Sequence, residues 1–196
     1  MINMNKIISF IKNNKKFIII FLIIIFFILI IDIQSKKTSG VLPSPTPQSF
    51  QTATFNDLAP GKSSKDDVLL KMGTALNAKI EESKETYEYR SSNPNFNTEV
   101  IVINDKLEYI KVIYTNSDNK NYSDFSVIYG DPEQVLYNAD YSVGYILNSY
   151  PSKGVAFISH IKSKSVNEAW YFKPTTTEEF KSSLAIGYFE SPNLSR

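Results

Sequence analysis

The sequence predicts an α+β fold class: an N-terminal transmembrane helix, then an exported domain of two tandem units, each a short helix followed by a four-stranded antiparallel meander. Three observations predict this architecture. Residues 17–31 are an unbroken run of Phe, Ile and Leu. The later chain is rich in Tyr, Phe, Val and Ile, which favour strands. Its helix and strand signals recur after 57 residues, as from Gly73 to Gly130.

Residues 17–33 are expected to cross the plasma membrane once, as a signal anchor. At about 1.5 Å per residue this segment reaches ~26 Å, close to the ~30 Å hydrocarbon core of a bilayer. Four lysines precede the apolar run and only two follow it closely. Positive charge stays in the cytoplasm, so residues 1–16 are expected inside and the C-terminal domain outside. A cleaved signal peptide is the alternative, although no small-x-small cleavage pattern follows the run.

Charge and composition divide the rest of the chain and restrict its partners. Residues 1–54 carry a net charge of +5 and residues 55–196 carry −4, so the exported part has no basic surface for nucleic acid. Residues 34–54 hold three alternating prolines and are expected to be an extended linker, or a ligand for a proline-recognition domain. The absence of cysteine excludes disulfides and lipid attachment through a cysteine.

The first unit is expected over residues 55–116 of an exported domain that spans residues 55–191. Ser63 or Ser64, each with an Asp three residues later, predicts a helix start, and Gly73 predicts its end. Asn104 and Asp105 tolerate positive φ and predict a tight hairpin turn. The predicted strands are Ala78–Glu82, Glu85–Arg90, Thr98–Ile103 and Lys106–Thr115.

The second unit is expected over residues 117–191, with the same plan. A short helix is predicted over Asn121–Tyr129, and a closing helix with a capping box is predicted to begin near Thr175. The predicted strands are Gln134–Asn138, Ser142–Ser149, Gly154–Ile161 and Val166–Lys173. The recurrence indicates a tandem duplication, but identities between the units are few, so coincidence stays open.

The segment from Leu58 to Val68, followed by Met72 and Gly73, resembles the opening of the small outer-membrane lipoprotein family (SmpA/OmlA, BamE-like). The resemblance covers about sixty residues of each unit, and two units in tandem resemble the architecture of β-lactamase inhibitor proteins. It implies a non-enzymatic protein that works through protein contacts in the bacterial cell envelope. The chain departs from both groups because it has neither a lipidated nor a disulfide-bonded cysteine.

No residue pattern predicts catalysis, a metal site or a cofactor. His160 is the single histidine, and the strand residues around it favour a packing role. One histidine without cysteine makes a zinc site unfavourable. The acidic residues between 81 and 88 are more simply explained by a solvated strand face than by a glycosidase pair. The chain is therefore expected not to be an enzyme.

Four tyrosines form the candidate partner surface: Tyr137, Tyr141, Tyr145 and Tyr150. Tyrosine supplies a large contact area at a small entropic cost, although cross-strand packing also explains such residues. The expected function is a membrane-anchored, extracytoplasmic, non-catalytic protein-interaction module of the cell envelope. The partners are then the lipid bilayer, through residues 17–33, and an envelope protein. The alternative is an exported inhibitor or ligand-binding domain of the tandem-repeat type.

Overall fold

Nine antiparallel strands form a single sheet in the computed structural model, which describes residues 52–138 and 144–192. Three helices accompany the sheet: α1 (Lys65–Met72), α2 (Tyr122–Tyr129) and α3 (Thr177–Ser183). The strands are β1 (Asn77–Glu81), β2 (Lys84–Arg90), β3 (Asn97–Ile103), β4 (Lys106–Ile113), β5 (Gln134–Asn138), β6 (Tyr145–Tyr150), β7 (Val155–His160), β8 (Val166–Phe172) and β9 (Tyr188–Phe189). Two 3₁₀ turns lie at Asn116–Asp118 and Pro151–Lys153.

The strand order is β1-β2-β3-β4-β8-β7-β6-β5-β9. Strands β1 to β4 pair in sequence order as hairpins, and so do strands β5 to β8. The two sets are joined where β4 pairs with β8, with Ile110 opposite Tyr171. The last strand, β9, pairs with β5 through two residues. The sheet therefore has β1 at one edge and the very short β9 at the other.

Both faces of the sheet carry buried apolar side chains. Successive residues of a strand project to opposite faces, and in several strands residues on both faces are buried. The α1/α2 face holds the larger core, where Val68 of α1 and Phe125 of α2 are buried against the strands. Phe125 stacks on Phe157 of β7 at 4.3 Å between ring centroids. On the opposite face, Phe180 of α3 is fully buried and stacks on Phe172 at 5.1 Å. This second face is the α3 face.

The predicted fold class is wrong in its architecture. The two predicted meanders are not separate units, since the pairing of β4 with β8 joins their eight strands in one sheet, to which β9 adds the ninth strand. The physical reason is that a four-stranded meander leaves the backbone groups of its last strand unpaired, and pairing the two last strands satisfies both edges. The prediction treated each meander as complete, so it did not include pairing between the last strands of the two meanders.

The transmembrane and signal-anchor part of that fold class has no counterpart in the described residues. No helix within residues 52–138 and 144–192 has the length and apolar character needed to cross a bilayer. The longest helices there have eight residues, which extend only about 12 Å. The segments predicted at residues 1–16 and 17–33, and most of the linker predicted at 34–54, lie outside the described residues. Ala53, at the end of that predicted linker, is buried, and its N–H donates to the carbonyl of Lys153 at 2.8 Å.

Several local predictions are confirmed. Ser64 and Asp67 form the capping box of α1, in which the Asp67 carboxylate accepts the Ser64 N–H at 2.7 Å. Gly73 ends α1 with φ +76°. Asn104 and Asp105 adopt φ values of +50° and +60° and connect β3 to β4.

A candidate binding groove on the alpha 3 face

A groove of about 540 Å³ lies on the α3 face, where α3 stops covering the sheet. Its floor is formed by apolar and aromatic side chains of β3, β4 and β8: Ile101, Ile103, Tyr109 and Phe172. Its wall is formed by α3 and by the segment that leads from β8 into that helix. The groove is thus a strip of apolar sheet surface that the described residues leave open on one side.

The wall of the groove is fixed by the way α3 begins. Pro174 lies two residues after the end of β8 and has no N–H to donate, so the strand does not continue past it. The Thr176 hydroxyl then caps α3 by accepting the Glu179 N–H at 3.2 Å, and the Thr175 hydroxyl donates to the Glu179 carboxylate. Together with the burial of Phe180, these contacts hold α3 against the sheet and place Glu179 beside the groove.

A β-bulge in β4 directs a second carboxylate toward the groove. Ile101 pairs with Tyr109 and Val102 with Leu107, which leaves Glu108 as an extra residue opposite the shift in register. A bulge changes the direction of the side chains around it and is common beside functional sites. As a result, Glu108 and Tyr109 both line the groove although they are adjacent in sequence.

Charged side chains of both signs surround the apolar floor: Lys84, Lys173, Glu108 and Glu179. None of these four takes part in the salt bridges found among the described residues. An apolar strip bounded by two ammonium groups and two carboxylates matches a polypeptide segment with an apolar anchor and flanking charges of both signs.

Tyr109, one of the residues that line the groove, has a neutral side chain. Burial raises the pKa of its phenol far above the ordinary value, and the nearby carboxylates of Glu168 and Glu99 raise it further. The phenol therefore keeps its proton throughout the neutral pH range.

His160 lies outside the groove and stabilises a turn. Its Nδ1 accepts the Ser163 N–H at 3.1 Å, lies 3.1 Å from the Ser163 hydroxyl, and its ring contacts Tyr145 edge-on at 5.1 Å. Among the described residues no carboxylate bonds to this ring, and no group of three His, Cys, Asp or Glu side chains is placed to bind a metal. These contacts stabilise the turn. The expectation of a non-enzymatic chain stays a prediction.

The three tyrosines of the predicted partner surface that the structure describes do not form one surface. Tyr150 is fully buried, and its hydroxyl donates to the carbonyl of Gly130 at 2.9 Å. Tyr137 pairs with Ile146, the residue after Tyr145, so Tyr137 and Tyr145 point to opposite faces of the sheet. Tyr141 lies outside the described residues. Within the described part, the tyrosines therefore contribute to different surfaces.

The groove was missed by the sequence analysis, although one signal pointed to it. The stretch from Val100 to Ile103 is apolar on both faces, which is typical of a strand that is covered on both sides. Val100 and Val102 are fully buried on the α1/α2 face, while Ile101 and Ile103 line the groove. From this pattern it could have been inferred that the second face of β3 is partly covered.

Comparisons with known proteins leave the family open. No protein-family model matches the chain, and no curated protein matches it. A solved structure with some similarity is a cysteine-rich secretory protein from Staphylococcus aureus, at 11% sequence identity and a TM-score of 0.40. The match covers 70% of this chain and 52% of that one, so this chain spans about half the length of that structure.

Proposed function

We propose that this chain is a non-catalytic protein-interaction module of the cell envelope, and that it binds a partner polypeptide in the groove between α3 and strands β3 and β4. The observation that carries the proposal is the partly exposed apolar floor of the groove, bounded by lysine and glutamate side chains that take no part in the salt bridges of the described residues. A buried apolar anchor surrounded by polar contacts is the usual organisation of a protein interface.

The proposed location is the extracytoplasmic side of the plasma membrane, with residues 17–33 associated with the bilayer. The support is the composition of the sequence: a fifteen-residue apolar run at 17–31, preceded by lysines. The resemblance to the small outer-membrane lipoproteins stays a prediction in the same way. The partner is accordingly proposed to be an envelope protein.

The proposal is tested by site-specific photo-crosslinking in living cells that make the full-length chain. A photoreactive amino acid replaces Lys84, an exposed residue on the rim of the groove. The matched control replaces Lys71, an exposed lysine of α1, on the other face of the sheet. Mass spectrometry then identifies any protein attached at each position.

A partner bound in the groove is expected to crosslink at position 84 and not at position 71. The adduct should also disappear when the groove charge is reversed by Glu108→Lys, and persist with Glu82→Lys, which reverses an exposed charge in the β1–β2 turn. Equal crosslinking at both positions, or an adduct that Glu108→Lys leaves intact, would overturn the proposal.

A further inference from the structure

Strand β1 is an open edge of the sheet. All five of its residues are exposed, and it pairs with β2 on one side only. An edge strand presents unpaired N–H and C=O groups, and proteins usually protect such an edge with a proline, a bulge or a covering segment. The sequence of β1 contains no proline, its pairing with β2 is regular, and no described residue covers its free side.

Charged side chains can protect an edge, and β1 carries two of them, Lys79 and Glu81, which are paired with each other. Leu76, just ahead of the strand, is 55% exposed and Ile80 is 66% exposed. Ala78 and Ile80 alternate within β1 and project to the same face, and Leu76 lies beside β2 just ahead of them, with its N–H donating to the carbonyl of Glu88 at 2.7 Å. On the opposite face, Lys79 and Glu81 neutralise each other at 2.6 Å. The edge is therefore apolar along one face and electrically neutral along the other.

We propose that β1 pairs with β1 of a second copy of this chain, antiparallel, about a two-fold axis at Ala78. In this register Leu76 lies opposite Ile80 of the second copy, and Asn77 lies opposite Lys79 of the second copy. Two copies then bury four apolar side chains in two identical cross-strand pairs. Cross-strand apolar pairs are the unit that stabilises an antiparallel sheet.

The register follows from the sequence of the edge. Opposite residues in paired strands must project to the same face, so a two-fold axis between antiparallel strands passes through one residue. An axis at Lys79 would place two lysines directly opposite each other, which is unfavourable. An axis at Ile80 would leave an overlap of only a few residues, because the strand ends at Glu81 and Glu82 turns away with φ +51°. An axis at Ala78 opposes no like charges, and it places Ile80 and Glu81 opposite Leu76 and Ala75 of the second copy, which lie just ahead of its β1.

A second copy is favoured over a foreign strand because one β1 carries both halves of the match. Leu76 and Ile80 lie two residues on either side of Ala78, and Asn77 and Lys79 lie one residue on either side. When two copies of the strand pair antiparallel, the residues on one side of Ala78 therefore lie opposite the residues on the other side of Ala78 in the second copy. This contact lies on the edge of the sheet and is independent of the groove on the α3 face.

The test uses single cysteines in the full-length chain, which has none of its own. Directly opposite Cα atoms in antiparallel strands are about 4.5–5.5 Å apart, within the range that a disulfide spans. Ala78→Cys is therefore expected to give a disulfide-linked dimer on a non-reducing gel after mild oxidation. Ile80→Cys reports the alternative axis, and Val127→Cys, 84% exposed on α2, reports random collision.

A charge exchange tests the same register by a second route. Added to Ala78→Cys, the pair Leu76→Lys and Ile80→Lys should abolish the crosslink, because lysines then face each other. The pair Leu76→Lys and Ile80→Glu should restore it, because each lysine faces a glutamate of the second copy. Crosslinking that is strongest at position 80, equal at position 127, or unaffected by the two lysines would overturn the proposal. So would a cysteine at position 78 that attaches only to a different protein.

Discussion

Two buried tyrosines, Tyr89 and Tyr150, provide a matched test of how hydroxyl groups contribute to the stability of this domain. Tyr89 is 3% exposed, and its hydroxyl has no hydrogen-bond partner among the described residues. Tyr150 is fully buried, and its hydroxyl donates to the carbonyl of Gly130 at 2.9 Å. Burial raises the pKa of both phenols, so both are neutral near pH 7. Replacing either tyrosine with phenylalanine removes the hydroxyl oxygen, which is hydrogen-bonded in Tyr150 and has no partner among the described residues in Tyr89.

The expected effects have opposite signs. Tyr150→Phe loses a hydrogen bond that contributes about 0.5–1.5 kcal/mol, so it should lower the free energy of unfolding by that amount. Tyr89→Phe removes a hydroxyl that is buried without a partner, a situation that costs about 1–3 kcal/mol. It should therefore raise the free energy of unfolding, by about 1 kcal/mol at the lower end of that range. The two variants should differ by about 2 kcal/mol.

Urea unfolding of the full-length chain measures the difference through the fluorescence of Trp170. This residue is the single tryptophan and is 7% exposed, so its emission changes when the strands separate. With a urea dependence of about 2 kcal/mol per molar, the midpoints of the two variants should be separated by about 1 M. The reasoning is refuted if Tyr89→Phe lowers the midpoint, or if both variants shift it in the same direction.

Three further predictions concern packing and pH. Gly154→Ala places a Cβ 2.2 Å from a backbone oxygen at φ +75°. It should lower the free energy of unfolding by about 1–3 kcal/mol more than Gly187→Ala, where φ is +85° and no atom lies within 4 Å. Urea midpoints compare the two variants, and equal decreases in stability would contradict the clash. Phe180→Ala should cost about 3–5 kcal/mol by the same assay, whereas Phe189→Ala, at a 46% exposed position, should cost much less. The pKa of Glu85 is held below its ordinary value, first by its hydrogen bond to the lysine of α1. The ionised group therefore adds stability above pH ~4 that is lost as pH falls further, and Glu85→Gln should remove this acid-sensitive part; an unchanged stability profile between pH 3 and 7 would argue against it.

Local signals in the sequence were sufficient to predict most of the individual elements. The capping box of Ser64 and Asp67 depends on residues three apart, and the β3–β4 turn depends on the two adjacent residues Asn104 and Asp105. The starts of α1 and α2 are 57 residues apart in the structure, as Lys65 and Tyr122 show. Such features follow from the chemistry of a few neighbouring residues, so they could be read without knowing the rest of the fold.

The features that depend on distant residues could not be predicted in the same way. Ile110 and Tyr171 lie opposite each other in β4 and β8, yet nothing in either strand identifies the other as its partner. The bulge at Glu108 depends on one unpaired residue, which the alternation of β4 does not reveal. The groove combines this bulge with the position of α3, so its residues could be named only after both were known.

The chain joins the sheet near its centre, and this has a mechanical consequence. Ala53 bonds to Lys153, directly ahead of β7, which is an interior strand. A pulling force applied from the N-terminal side would therefore load this single backbone hydrogen bond first. Once that bond breaks, the load would pass along the chain to α1 and then to the edge strand β1, so the domain should open from that edge of the sheet.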